Sequence, residues 1–410
     1  MRPRVGVAVS AVVLLLAVPR LLDAATCPGI RACVPSKGCG PTAIVIGPGA
    51  SIQGTINSMP ATGGEICVLP GTYLGKIDFQ GKPITLVSQA GPNATILKGS
   101  GSPSGPVVTF KTFEGADSVL DGFGIQGGSA QFGGGIYVLN ASPTIKNCIV
   151  SGNLATGNQY SRGGGAWIAG ASSRPSITCT QFTNNGADYG GGGLASAGSA
   201  DPYLRRDWFR SNTAQFGGGI AVHSNGRLDL GTSEVNGNTA SIDGGGIHSG
   251  TTYGNVLVRA CWVHGNVATK KGGGIFVPSG LAQVMNSTFD NNRANIGGAG
   301  ASSSGGLLDV AGTLFVHNTT TSGSSAALAP AAPAGLGSAV LNHYNGFFAN
   351  VGADYVNTLD NLGLLTSDPL LAACCPGPGS PAIDAGLPDQ HFKDPNGTTN
   401  DIGACGGPPP

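Results

Sequence analysis

The sequence predicts an all-β chain folded as a right-handed parallel β-helix, a single-stranded β-solenoid with disulfide-rich end caps. Three observations predict it. An asparagine recurs in one fixed register, a glycine cluster keeps step with it, and cysteines gather near both termini.

The recurring asparagines are Asn153, Asn185, Asn212, Asn238, Asn266, Asn292 and Asn318, spaced 26 to 32 residues apart. Three residues before each stands Val150, Phe182, Phe209, Val235, Val263, Phe289 or Phe315. Eight before stands Ile145, Ile177, Leu204, Leu230, Val258, Val284 or Val310. Two after come Ala155, Ala187, Ala214, Ala240, Ala268 and Ala294, until Thr320 breaks the file. Glycine clusters precede Ile136, Ala166, Leu194, Ile220, Ile247 and Ile275, and the alternation that follows them is that of a strand. A unit this short cannot bury its own core, so copies must stack, and like residues then form ladders about 4.8 Å apart. Asparagine ladders exchange amide hydrogen bonds between coils, and asparagine tolerates the left-handed backbone of a sharp corner. The asparagine file is therefore structural rather than catalytic. The repeated glycines lack the strand–loop–helix setting of a phosphate loop and instead relieve a corner.

Only 10% of the 410 residues are charged, against about 25% in ordinary domains, while glycine contributes 71 residues. An apolar share of 40%, held in register, excludes disorder, and the absence of a three-residue glycine period excludes collagen. Balanced charge, 21 basic against 21 acidic residues, offers no footprint for nucleic acid.

Along the chain, residues 1–25 read as a signal peptide, with Arg2 and Arg4 ahead of an apolar run too short to span a bilayer. The protein is expected to be secreted, extracellular or at a cell surface, with no membrane span. Residues 26–50 form a cysteine-rich N-terminal cap, 51–338 the parallel β-helix and 339–410 a C-terminal capping segment. Ten cysteines in an exported chain suggest disulfides that pin the ends: Cys27, Cys33, Cys39 and Cys67 at one, Cys374, Cys375 and Cys405 at the other. Cys148, Cys179 and Cys261 are too scattered for a metal site.

The sequences FTNN (Phe182–Asn185), FRSN (Phe209–Asn212), FDNN (Phe289–Asn292) and FVHN (Phe315–Asn318), separated by GGGI or GGGL, resemble the repeats of chlamydial polymorphic outer-membrane proteins. That resemblance implies a surface β-helix with an adhesin role, although no membrane barrel follows residue 320. The stretches Ser51–Tyr73, Pro83–Ser88 and Leu120–Gly128 resemble the opening coils of pectate-lyase-like β-helix proteins. The tail SDPLLAA, GSPAIDAG and DIGA resembles that of surface β-helix proteins with a variable anchor.

Catalysis on such a fold requires outward carboxylates paired with a base, or an acidic cluster holding calcium. The paired-aspartate, GxYxE and WIDH signatures of polygalacturonase-, pectin-esterase- and pectate-lyase-like enzymes are missing, so no catalytic residue is assigned. A lyase or hydrolase of acidic polysaccharide is the alternative to a glycan- or partner-binding surface. No cofactor and no metal are expected. Asp394, Asn396, Gly397 and Asp401 supply oxygen ligands for calcium, but with the spacing of an ordinary turn.

One outward file stands out four residues before the asparagines. Trp208 and Trp262 lie two coils apart, about 10 Å, with Glu234 between them. Arg206, Arg210 and His264 (with Asp207) lie near in register. Exposed indoles suit sugar rings, so these residues form a candidate glycan-binding stripe. The competing reading is that a loop covers both tryptophans. A second outward file, Tyr137, Trp167, Ala195, Ala221, His248 and Phe276, is less regular.

Overall fold

The computed structural model describes residue 33 and residues 38–100, 105–250, 254–322, 327–330, 339–351, 354–355, 358–372, 374–386, 399 and 401–405. The signal segment, Cys27, Asp394, Asn396 and Gly397 lie outside these. No helix among the described residues is long and apolar enough to cross a membrane.

The chain is a parallel β-solenoid. Each coil visits four sheets in turn, and successive coils stack in register, giving sheets of 13, 11, 8 and 10 strands. One coil illustrates the path. Thr144–Lys146 lies in the 13-stranded sheet, Ile149–Ser151 in the 11-stranded, Leu154–Ala155 in the 8-stranded and Ala166–Ala169 in the 10-stranded. Every pairing within these four sheets is parallel and joins neighbouring coils, as in Ile145↔Ile177 and Val150↔Phe182. At the N-terminal end a short helix, Ile52–Ser58, turns Ile52 and Ile56 into the core, and the Ser51 side chain accepts the Gly54 N–H at its start. The sequence places this stretch among the opening coils of the β-helix, and the short helix is the difference.

The predicted files exist as vertical ladders. Phe182 and Phe209 stack at 4.9 Å, Phe289 and Phe315 at 5.2 Å, and all four are fully buried. The asparagine ladder is continuous. Each Oδ1 accepts both the backbone N–H and the Nδ2–H of the asparagine one coil earlier, while each Nδ2 also donates to a carbonyl, as Asn212 does to Phe182 O at 2.8 Å. It runs one coil further than the sequence suggested, to Asn350, with Phe347 stacked on Phe315. An intervening insertion and the loss of the alanine file hid that copy.

One expectation is corrected. The left-handed corner residue is the one before each ladder asparagine, such as Gly152, Asn184, Ser211 or His317, not the asparagine itself. The ladder side chain points inward to its neighbours, so the residue preceding it makes the turn. The glycine clusters do relieve crowding. Gly217 has φ +59°, and a Cβ on Gly193 would stand 2.7 Å from Gly219 O in the next coil.

Disulfides join Cys39 to Cys67, Cys375 to Cys405, and Cys33 to Cys179. The last ties the N-terminal arm to the middle of the stack, across 146 residues of sequence.

Candidate functional site

The predicted stripe comes together as its spacing required. Trp208, Glu234 and Trp262 are direct partners on adjacent strands of the 11-stranded sheet. Glu234 is 1% exposed and pairs with Arg210 Nη2 at 2.8 Å and His264 Nε2 at 3.1 Å, while the Trp262 and His264 rings stack at 3.7 Å. Burial would push the Glu234 carboxyl up, but His264 and Arg210 outweigh it and hold it below the ordinary range. Arg206 occupies the left-handed corner ahead of this strand and makes no ion pair among the described residues.

The indoles are not free platforms, however. Both are half-buried and pack against Cys374, Cys375, Ala404 and Cys405 of the C-terminal segment. Thr288, next in the same file, accepts the Ala404 N–H and donates to Cys374 O, and Gly403 N–H reaches Gly312 O. The C-terminal segment thus returns along this flank. The sulfurs of Cys374, Cys375 and Cys405 form the one three-residue metal-type cluster among the described residues, but all three cysteines are disulfide-bonded. Asp401 accepts the Asp384 N–H.

The second outward file is covered too. Trp167, His248 and Phe276 are buried beneath Phe132, Tyr189, Phe216 and His223, contributed by the segments ahead of the glycine clusters and by the following corner. Burial lowers His248 to about 3, and burial with Arg162 and His248 nearby holds His223 well below its usual value.

Sequence reading missed a second polar ladder, five residues before the asparagines, at the corner between the 13- and 11-stranded sheets. It reads Cys148, Thr180, Asp207, Ser233, Cys261, Ser287, Thr313 and, one coil on, Asn345. Its oxygens accept the backbone N–H of the preceding coil: Thr180 N to Asp207 Oδ1, Asp207 N to Ser233 Oγ, Cys261 N to Ser287 Oγ. The hydroxyls and thiols donate back two residues, as Ser233 does to Gly231 O and Cys261 to Arg259 O. The free, buried Cys148 and Cys261 are members of this ladder, and burial pushes both thiols up to about 12. Asp207 is the exception. It is fully buried, its Oδ2 has no partner, and burial raises it well above the ordinary carboxylate range. The signal in the sequence was a file of small polar side chains.

The open surface lies elsewhere, on the outer face of the 13-stranded sheet and the corner leading into it. Alternation turns Leu228, Val256 and Ala282 inward and leaves Arg227, Asp229, Asn255, Leu257, Leu281 and Gln283 outward. Two adjoining cavities, about 220 and 300 Å³, share Asp201, Arg227 and Asn255; the second extends to Arg174, Ser199 and Asn225. Asp229 is held by Arg205 at 3.0 Å and Arg259 at 3.0 Å, with Arg205 stacked 3.7 Å from the Tyr203 ring. Arg227 is freer, with a side chain 56% exposed and only a 3.8 Å contact to Asp201. Among the lining residues Arg174 and Arg227 are matched by Asp201 and Asp229, with Leu257 and Leu281 beside them, while Arg205 and Arg259 pair with Asp229 without lining either cavity.

Residues 129–320 match the family model for the right handed beta helix region. No curated protein and no solved structure matches the chain.

Proposed function

We propose that this chain is an exported β-solenoid that binds glycan through the groove beside Arg227, without catalysing its cleavage. The observation that carries the reading is the pair of adjoining cavities sharing Asp201, Arg227 and Asn255 on the outer face of the 13-stranded sheet. Arginine and amide donors, with Leu257 and Leu281 beside them, suit the hydroxyls, carboxylates and apolar faces of sugar rings. Asp229 is committed to two guanidinium groups and so is poorly placed to act as a free base. The apolar run after Arg2 and Arg4, the likeness of the FxxN repeats to chlamydial surface proteins and the anchor-like tail support a secreted or surface location.

The test is retention of the protein on acidic and neutral polysaccharides, with and without calcium, followed by assay of new chain ends. Retention without cleavage, at least tenfold weaker in Arg227→Ala, is the expected result. New chain ends would replace this reading with that of a polysaccharide lyase or hydrolase, and absence of retention on every polysaccharide would overturn both.

A further inference from the structure

We propose that the groove holds a straight, uncharged β-1,4-linked glycan laid along the solenoid axis, one ring to each coil, with Tyr203 as the platform on which one ring stacks. This rests on the reading of the groove as a glycan site and names the class of chain it takes.

The direction follows from the register. Ser176, Tyr203, Asp229, Leu257 and Gln283 are successive partners on parallel strands, with no shift between them. Two residues ahead of each stand Arg174, Asp201, Arg227, Asn255 and Leu281, and all five line a cavity. The lined surface therefore crosses five coils, about 19 Å in steps of about 4.8 Å, whereas one outward residue lies only about 7 Å from the next along a strand. A ligand that fills it runs across the strands. Each step is close to the advance of one pyranose ring in a straight chain, and an unshifted ladder offers a straight track. A chain that curls, as an α-1,4-linked glucan does, leaves such a track within a few rings. At the N-terminal end the Ser142 hydroxyl, one coil before Arg174, donates to Ser172 O and accepts the Arg174 N–H, so it is already committed.

The lining sets the chemistry. Arg174 and Arg227 are matched by Asp201 and Asp229, so the lining residues carry no net charge to reward a carboxylated sugar. Donors and acceptors instead interleave along the track, from Arg174 through Asp201 and Arg227 to the Asn255 amide, and a sugar hydroxyl both donates and accepts. Leu257 and Leu281 offer the far end an apolar contact for ring C–H groups.

Tyr203 borders the track. It is the direct strand partner of Asp229, stands two residues past Asp201 and is 43% exposed. The Arg205 guanidinium lies 3.7 Å from the centre of its ring. Arg205 is itself buried and held by hydrogen bonds to Leu204 O, Asp229 O and Asp229 Oδ1. A ring already ordered by its neighbour loses little freedom when a sugar packs on it, and its exposed aromatic surface supplies the apolar contact.

The experiment titrates the full chain calorimetrically with cellotriose, cellopentaose, cellohexaose, maltohexaose and hexagalacturonate. Affinity is expected to rise at least tenfold from cellotriose to cellopentaose and to change less than twofold beyond it, with maltohexaose and hexagalacturonate at least tenfold weaker than cellohexaose. Tyr203→Ala should weaken cellohexaose at least tenfold, while Tyr203→Phe, which keeps the ring, stays within twofold, each variant being checked for the parent's circular dichroism. Cellotriose binding as tightly as cellohexaose overturns the axial track. Maltohexaose or hexagalacturonate binding as tightly as cellohexaose overturns the straight, uncharged chain, and an unaffected Tyr203→Ala overturns the platform. The length series uses the parent chain and does not depend on either variant folding. If no oligosaccharide binds while Arg227-dependent retention on a polysaccharide persists, this proposal falls and the groove reading stands; if retention is absent as well, the groove reading falls with it.

Discussion

Asn238 Oδ1 accepts two hydrogen bonds from Asn212, from its backbone N–H at 3.0 Å and from its Nδ2 at 3.0 Å. Repeated from coil to coil, this relationship satisfies the backbone at every corner on that edge, where no strand partner is available.

Asn238→Ala therefore strands the Asn212 backbone N–H and one of its two Nδ2–H groups, and leaves Phe209 O without its side-chain donor. A loss of roughly 2–4 kcal/mol is expected from several unmet buried groups. Urea unfolding followed by circular dichroism measures it, and a loss under about 0.5 kcal/mol would make the ladder incidental.

Asp207→Asn should do the reverse. Asn345 already fills the equivalent corner in a later coil, where its Oδ1 accepts Thr313 N–H and its Nδ2 donates to Val310 O. Burial raises the Asp207 pKa in the fold, so the folded state holds a proton that the unfolded chain releases near about pH 4. That contribution is fully present below the unfolded value and is lost as pH rises through the folded one. The variant is predicted to be more stable than the parent at pH 7, by about 1–3 kcal/mol, and to lack this alkaline loss. Melting curves from pH 4 to 9 check the sign.

The files read from the sequence are those where burial and period coincide. Phe182, Ile177 and Asn185 each recur because every coil repeats the same inward environment, so spacing alone revealed them. Outward residues carry no such constraint. That Trp208 faces out was legible from its place beside Phe209. That Cys374 and Ala404 would lie on it was not, because the covering segment is far away in sequence and belongs to no repeat. The groove was equally hidden, since Arg227 and Asn255 open strands, Asp201 stands just ahead of one, and the corners leading into these strands differ in length. Asp207 was visible only as a neighbour of the tryptophan, because its corner file mixes five residue types.

The histidines set an opposite pH dependence. Burial depresses His248 to about 3, against about 6.5 in the unfolded chain. The stability it contributes is present above the unfolded value and is lost as pH falls from about 6.5 towards 3. His248→Phe places in this file the residue already present at Phe276, its direct strand partner. The variant should lose part of the acid slope between pH 6.5 and 3, with His223 and the depressed Glu234 carboxyl contributing to the remainder. An unchanged slope would mean that His248 is not buried as a neutral ring.

Hydrogen–deuterium exchange with and without the polysaccharide that retention selects tests the binding account most directly. The account predicts protection concentrated in residues 199–203, 225–231 and 255–259, the segments that carry the groove-lining residues, with the 11-stranded flank unchanged. Protection confined to the 10- or 8-stranded flank, with none around Arg227, would contradict it.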